Sequence, residues 1–157
     1  MEFTNLENHN VPFGFGWHPY FRFNKPVDEL FLQTPSLKKY KVDNQMIPTG
    51  EIIDVDDYTS KKSLSSVELD DCFAITGTGG IVTTALSDNA GTTLKLWQET
   101  GERKLNYLQI FTPPHRKSIA IEPQTCCIDA FNNKYGYFEL KSRETISARF
   151  GVNLVSE

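Results

Sequence analysis

No apolar run in the 157-residue chain approaches the roughly 18 residues a membrane-spanning helix needs, which excludes a helical membrane protein. Positive charge is also short: no lysine or arginine run exceeds two, and 16 Lys plus Arg against 20 Asp plus Glu give a formal charge of −4. Little is available to neutralise a phosphate backbone, so nucleic acid is excluded as a partner. Cysteine is scarce. Of the three, Cys126 and Cys127 are adjacent, and none sits in a CxxC or Cys/His spacing, so no metal site is expected. The polar, acidic start from Met1 to Asn10 lacks the basic and apolar regions of a secretory leader, which points to the cytoplasm. The glycine-rich TGTGG at 76–80 lacks the lysine of a phosphate-binding loop and no helical pattern follows it, so it reads as a turn. A helical apolar stripe of ten or more residues is missing everywhere. The nearest candidate is one turn at 128–133, closed by Gly136.

What the chain does have is enough apolar material for a core, 39% hydrophobic and 12% aromatic residues, arranged with period two. Alternating runs at 37–42, 80–86, 92–98, 105–112, 117–122, 137–141 and 145–154 have strand lengths and are separated by Gly, Pro, Asn and Asp. In the last run Ile146, Ala148, Phe150, Val152 and Leu154 share one side, which is expected to face the core. Residues 54–66, rich in Asp, Ser and Lys, read as a mobile surface loop. Short turns between one-sided strands predict a single all-β domain over 1–157, an antiparallel β-sandwich.

Chemistry concentrates in two segments. In PFGFGWHPYFRFN (12–24), strand period sets Phe13, Phe15, Trp17, Phe21 and Phe23 against Gly14, Gly16, His18, Tyr20 and Arg22. The glycines would clear space beside an imidazole and a phenol on a face able to meet a ligand. The same pattern fits a histidine satisfied within a core and glycines marking a bulge near Pro19. In KSIAIEPQTCCIDAFN (117–132), Ile119 and Ile121 oppose Ser118, Ala120 and Glu122, and Pro123 ends the strand with a carboxylate at its tip. An isolated strand-end glutamate also fits plain solvation, as do the adjacent acids of LDDCF, Asp70 and Asp71. His9 and His115 lie in polar, turn-like settings and read as surface histidines.

The ordered motifs GWHPYF (16–21), LDDCF (69–73) and IEPQT…DAFN (121–132) resemble those of the aldose 1-epimerase family, the galactose mutarotases. The resemblance runs from about Phe3 onward and matches only the C-terminal half of family members. It implies part of their galactose mutarotase-like sandwich and a cofactor-free isomerase that interconverts hexose anomers. Carried over by motif, His18 is the general acid, Glu122 the general base and Asp70 a ligand for sugar hydroxyls. Gln124 of the EPQ motif is implied as a further substrate-binding residue. Tyr20 and Trp97 offer aromatic faces for the C–H patches of a sugar. Of these, Tyr20 shares the parity of His18, while Trp97 opposes Leu94 and Leu96.

Family members also use an arginine and a second histidine from their N-terminal half, and neither motif occurs in these residues. Ile128 stands where a proline is common. Half of a sandwich would expose apolar faces and strand edges, so a homodimer or a complex with a separately encoded N-terminal half is expected. A non-catalytic carbohydrate-binding domain is the alternative function. A glycosidase built on Glu122 and Asp70 would leave His18 without a task.

Overall fold

Where the sequence alternates, the backbone runs extended. The computed structural model describes residues 1–77 and 79–156; Thr78, in the turn expected at 76–80, and Glu157 lie outside the described residues. In chain order the strands are β1 (Glu2–Thr4), β2 (Val11–Phe13), β3 (Tyr20–Phe21), β4 (Phe31–Gln33), β5 (Leu37–Val42), β6 (Pro48–Val55), β7 (Lys62–Ser63) and β8 (Asp70–Ile75). There follow β9 (Gly80–Ser87), β10 (Thr92–Thr100), β11 (Tyr107–Phe111), β12 (Ile119–Gln124), β13 (Phe138–Leu140), β14 (Thr145–Ser147) and β15 (Phe150–Ser156). A four-residue helix, α1 (Ala130–Asn133), falls inside the turn expected at 128–133.

Two antiparallel sheets form the body. One runs β3-β12-β11-β8-β5-β6 and the other β15-β10-β9-β4-β7, with the pairs β1-β14 and β13-β2 at one side. The inner faces meet through Phe73, Ile75, Leu108, Ile110, Ile119 and Ile121 of the first sheet and Leu32, Leu86 and Leu96 of the second, all fully or nearly fully buried. Each such side chain contributes about 1.5–3 kcal/mol when fully buried, so this layer fixes which way every strand faces. A second buried cluster of Tyr40, Cys72, Tyr107 and Cys127, packed against Ile128 and Tyr135, covers part of the outer face of the six-stranded sheet. Gly136 permits that cover: its φ of +76° suits glycine, and a Cβ there would lie 2.5 Å from Cε2 of Tyr107.

Several details differ from the sequence reading. Pro123 does not end its strand: β12 continues to Gln124, with Pro123 opposite Leu108, so Glu122 lies within the strand rather than at its tip. The 145–154 run is two strands, because its halves pair with different partners, β14 with β1 and β15 with β10, and the chain turns between them at Ala148 and Arg149. Only the first part of its apolar row is covered: Ala148 is buried, whereas Val152 and Leu154 on the edge strand β15 are exposed, Leu154 by 68%. Residues 54–66 are not simply a surface loop, since Tyr58 and Leu64 reach into the core. The 12–24 segment is not one strand either. It pairs as β2 with β13, then touches β12 through a single Gly16–Gln124 bridge, then pairs as β3 with β12.

Its two faces nevertheless separate as the alternation predicts. Phe3, Phe13, Phe15, Phe150, Trp17 and Phe21 form a chain of ring contacts with centroids 4.9–6.4 Å apart, a geometry favourable to aromatic pairs. This anchors one side of the segment and leaves His18 and Tyr20 on the other.

Candidate active site

Residues directly opposite one another in a sheet share a face, so strand register alone assembles a polar surface. On the outer face of the six-stranded sheet, Asp70, Phe111, Ala120 and Tyr20 form one cross-strand row. Cys72, Gln109 and Glu122 form the next, and Ala74, Tyr107, Gln124 and Gly16 a third. Two of the polar members follow from the burial of their neighbours: with Ile121 and Ile110 turned into the core, Glu122 and Gln109 must turn outward.

Over these rows lies an open depression of about 320 Å³ lined by His18, Tyr20, Asp70, Gln109, Phe111, Glu122, Gln124 and Ile128. Nε2 of His18 stands 3.2 Å from Oε1 of Glu122, with the imidazole 54% exposed and the carboxylate side chain 6% exposed. Nε2 of Gln124 donates to the other carboxylate oxygen, Oε2, at 3.2 Å. Burial pushes the Glu122 carboxyl above its ordinary pKa, and His18 and Gln124 only partly offset this. The Tyr20 ring packs beside the imidazole, centroids 5.0 Å apart, and is itself 52% exposed. Nε2 of Gln109 donates to Oδ1 of Asp70 at 3.0 Å, while the buried Oε1 of Gln109 has no hydrogen-bond partner.

Five of the six residues singled out by sequence therefore converge: His18, Glu122, Asp70, Tyr20 and Gln124. Trp97 does not, and that expectation is corrected. Its neighbour Leu96 faces the core, so Trp97 lies on the outer face of the other sheet, packed against Gly151 of β15. The glycines also act differently from the reading: a Cβ at Gly16 would press on Gln124, and one at Gly14 would lie 2.8 Å from Sγ of Cys126. They make room for protein side chains and let the segment dock along the end of β12, where the Trp17 N–H donates to the Pro123 carbonyl and the Thr125 N–H to that of Phe15. The adjacent acids divide, Asp70 facing the depression and Asp71 pairing with Nζ of Lys39 at 2.6 Å.

Gln109 is the site residue that sequence reasoning missed. The signal was present, a lone amide in the otherwise apolar core of YLQIF, with parity opposite to Leu108 and Ile110. Among the described residues, no group of three or more His, Cys, Asp or Glu side chains could hold a metal ion.

The family model for aldose 1-epimerase matches residues 1–153. The chain belongs to the aldose 1-epimerase family. Solved structures with the same fold include a galactose mutarotase-like protein from Clostridium acetobutylicum, at 21% identity and a TM-score of 0.83, covering 99% of this chain and 51% of that one. A GalM/aldose epimerase homologue from C. elegans aligns at 20% identity and a TM-score of 0.76, covering 93% of this chain and 53% of its own. A galactose mutarotase-like protein from Lactobacillus casei aligns at 18% and 0.74, covering 99% and 57%. The chain thus spans about half the length of these structures. Comparison with curated protein sequences finds no match. Family and fold together make this an all-β, galactose mutarotase-like sandwich.

Proposed function

We propose that the chain interconverts the α and β anomers of a hexose by acid/base ring opening, with Glu122 as base and His18 as acid. The observation that carries this reading is the 3.2 Å contact between the two groups at the floor of the depression. The anomeric hydroxyl oxygen and the ring oxygen of a pyranose are bonded to the same carbon, so one base and one acid must act side by side.

Glu122 takes the proton of the anomeric hydroxyl, the carbonyl forms at C1, the bond from C1 to the ring oxygen breaks, and imidazolium His18 protonates that oxygen. Rotation about C1–C2 presents the other carbonyl face. His18 then recovers its proton as the ring oxygen attacks C1, and neutral Glu122 returns the proton to the new anomeric hydroxyl. Both groups end as they began. The two side chains account for every proton transfer, so the reading invokes no cofactor. Asp70, aligned by Gln109, is suited to accept hydrogen bonds from sugar hydroxyls, and exposed Tyr20 offers an aromatic face.

A coupled assay of α-glucose or α-galactose conversion, repeated with His18→Asn and Glu122→Gln, tests the assignment. Rates in both variants equal to that of the parent chain would end it. A second reading, a carbohydrate-binding domain without turnover, is favoured by the openness of the site, where the His18 imidazole is 54% exposed. Sugar binding by calorimetry with no rate above spontaneous mutarotation selects it.

Open sheet edges motivate a partner. Val152 and Leu154 on β15 and Ile52 and Ile53 on the edge strand β6 are exposed apolar side chains at open sheet edges, suited to cover by a second copy or by a separately encoded N-terminal half. Size-exclusion chromatography giving a clean monomer that turns over sugar unaided would count against both.

A further inference from the structure

Two cysteines that the acid–base chemistry does not use lie closer than unbonded sulfur atoms ordinarily rest. Sγ of Cys72 on β8 and Sγ of Cys127, just past β12, share a hydrogen bond at 3.0 Å. Both are buried, yet Cys127 also lines a depression of about 450 Å³ with Gly14, Gly16, Gln124 and Cys126, an approach for a small oxidant. We propose that Cys72 and Cys127 are a modification site, a dithiol that a peroxide converts reversibly into an intramolecular disulfide while Cys126 remains a thiol.

Three observations support it. A disulfide needs the sulfurs about 2.0 Å apart, so the pair must close by only about 1 Å, within reach of small side-chain rotations. The two thiols are unequal in access: Cys127 lines the depression, whereas Cys72 does not and is fully buried. Cys127 is therefore the nucleophile. Cys126, half-buried and raised by desolvation, is the poorer one despite its greater exposure.

The step balances. The Cys127 thiolate attacks one peroxide oxygen, the O–O bond breaks, and the departing hydroxide takes a proton to leave as water, giving a sulfenic acid at Cys127. The Cys72 sulfur attacks that sulfur, its proton leaves with the displaced hydroxide as a second water, and the S–S bond forms. Two thiols lose two electrons to one peroxide. The cross-link joins positions 55 apart in sequence and ties β8, which carries Asp70, to the chain leaving β12, which carries Glu122 and Gln124. Constraining the unfolded chain in this way stabilises the fold.

The test treats the purified chain with hydrogen peroxide, then counts thiols after unfolding and maps peptides without reduction. The expected result is a fall from three thiols to one, a mass lower by two hydrogens, a peptide joining Cys72 to Cys127, and a higher unfolding temperature that dithiothreitol reverses. Cys126→Ser should lose both remaining thiols under the same treatment. Three surviving thiols, a linkage through Cys126, or a link between two chains would overturn the proposal. Because the readouts are mass, thiol count and unfolding, they stand or fall independently of any anomer assay.

Discussion

Nε2 of His18 and Oε1 of Glu122 sit 3.2 Å apart across a gradient of exposure, the imidazole half in solvent and the carboxylate nearly sealed. Replacing the carboxylate by its amide, Glu122→Gln, removes a charge whose burial is disfavoured. We predict a loss of mutarotation of about 10²–10⁴-fold, the usual worth of a general base. The variant's thermal midpoint near neutral pH should equal or exceed that of the parent. A midpoint many degrees lower would mean that the carboxylate is structural.

The raised pKa of Glu122 sets the acid side of the pH profile. The base must be ionised, so kcat/KM should fall on acidification in a limb lying above the ordinary glutamate value, and no such limb should remain in Glu122→Gln. The stability consequence has the opposite sense from that of a salt-bridged carboxylate. The folded chain holds this proton to higher pH than the unfolded chain, so the contribution is fully present below the ordinary glutamate pKa and is lost as pH rises through the folded value. Thermal melts across that window, parent against Glu122→Gln, read it directly.

Gln109 holds Asp70 through a single hydrogen bond and has one unpartnered oxygen. Gln109→Ala should raise KM by about tenfold, the worth of roughly 1.4 kcal/mol, with a smaller effect on kcat. Steady-state rates over a range of sugar concentrations separate the two.

Trp97 provides the contrast. Because it lies on the far face of the sandwich, Trp97→Phe should leave kcat/KM within about twofold, the scatter of a change below 0.5 kcal/mol. A large loss of sugar binding in this variant would contradict the placement.

Gly136→Ala should be more costly than any of these to stability. The new methyl group meets the Tyr107 ring and backbone at Cys126 and Thr125 from a left-handed φ, and about 1–3 kcal/mol of destabilisation is expected, read by denaturant midpoint.

Much of this site was legible because period-two alternation fixes the facing of each strand. His18 against Trp17, and Glu122 against Ile121, could be sorted without coordinates. What alternation does not carry is which sheet a strand joins. Trp97 had the right parity within β10, but parity is relative, and only the pairing of β10 with β9 and β15 puts its outer face on the wrong side of the molecule. The exposed Val152 and Leu154 mislead for a related reason, since a face belongs to the core only where another sheet covers it. Gln109 was missed because a single amide in an apolar strand has no motif; its meaning comes from the strands on either side.

That dependence on neighbours couples two properties usually thought separable. A slip of one position in β12 would drive Glu122 into the oily layer and lift Ile121 out to water, and the same slip in β11 would do so to Gln109 and Ile110. The reactive surface and the hydrophobic seam are thus front and back of one weave, and sequence drift that keeps this sandwich together also keeps the polar groups on its outside.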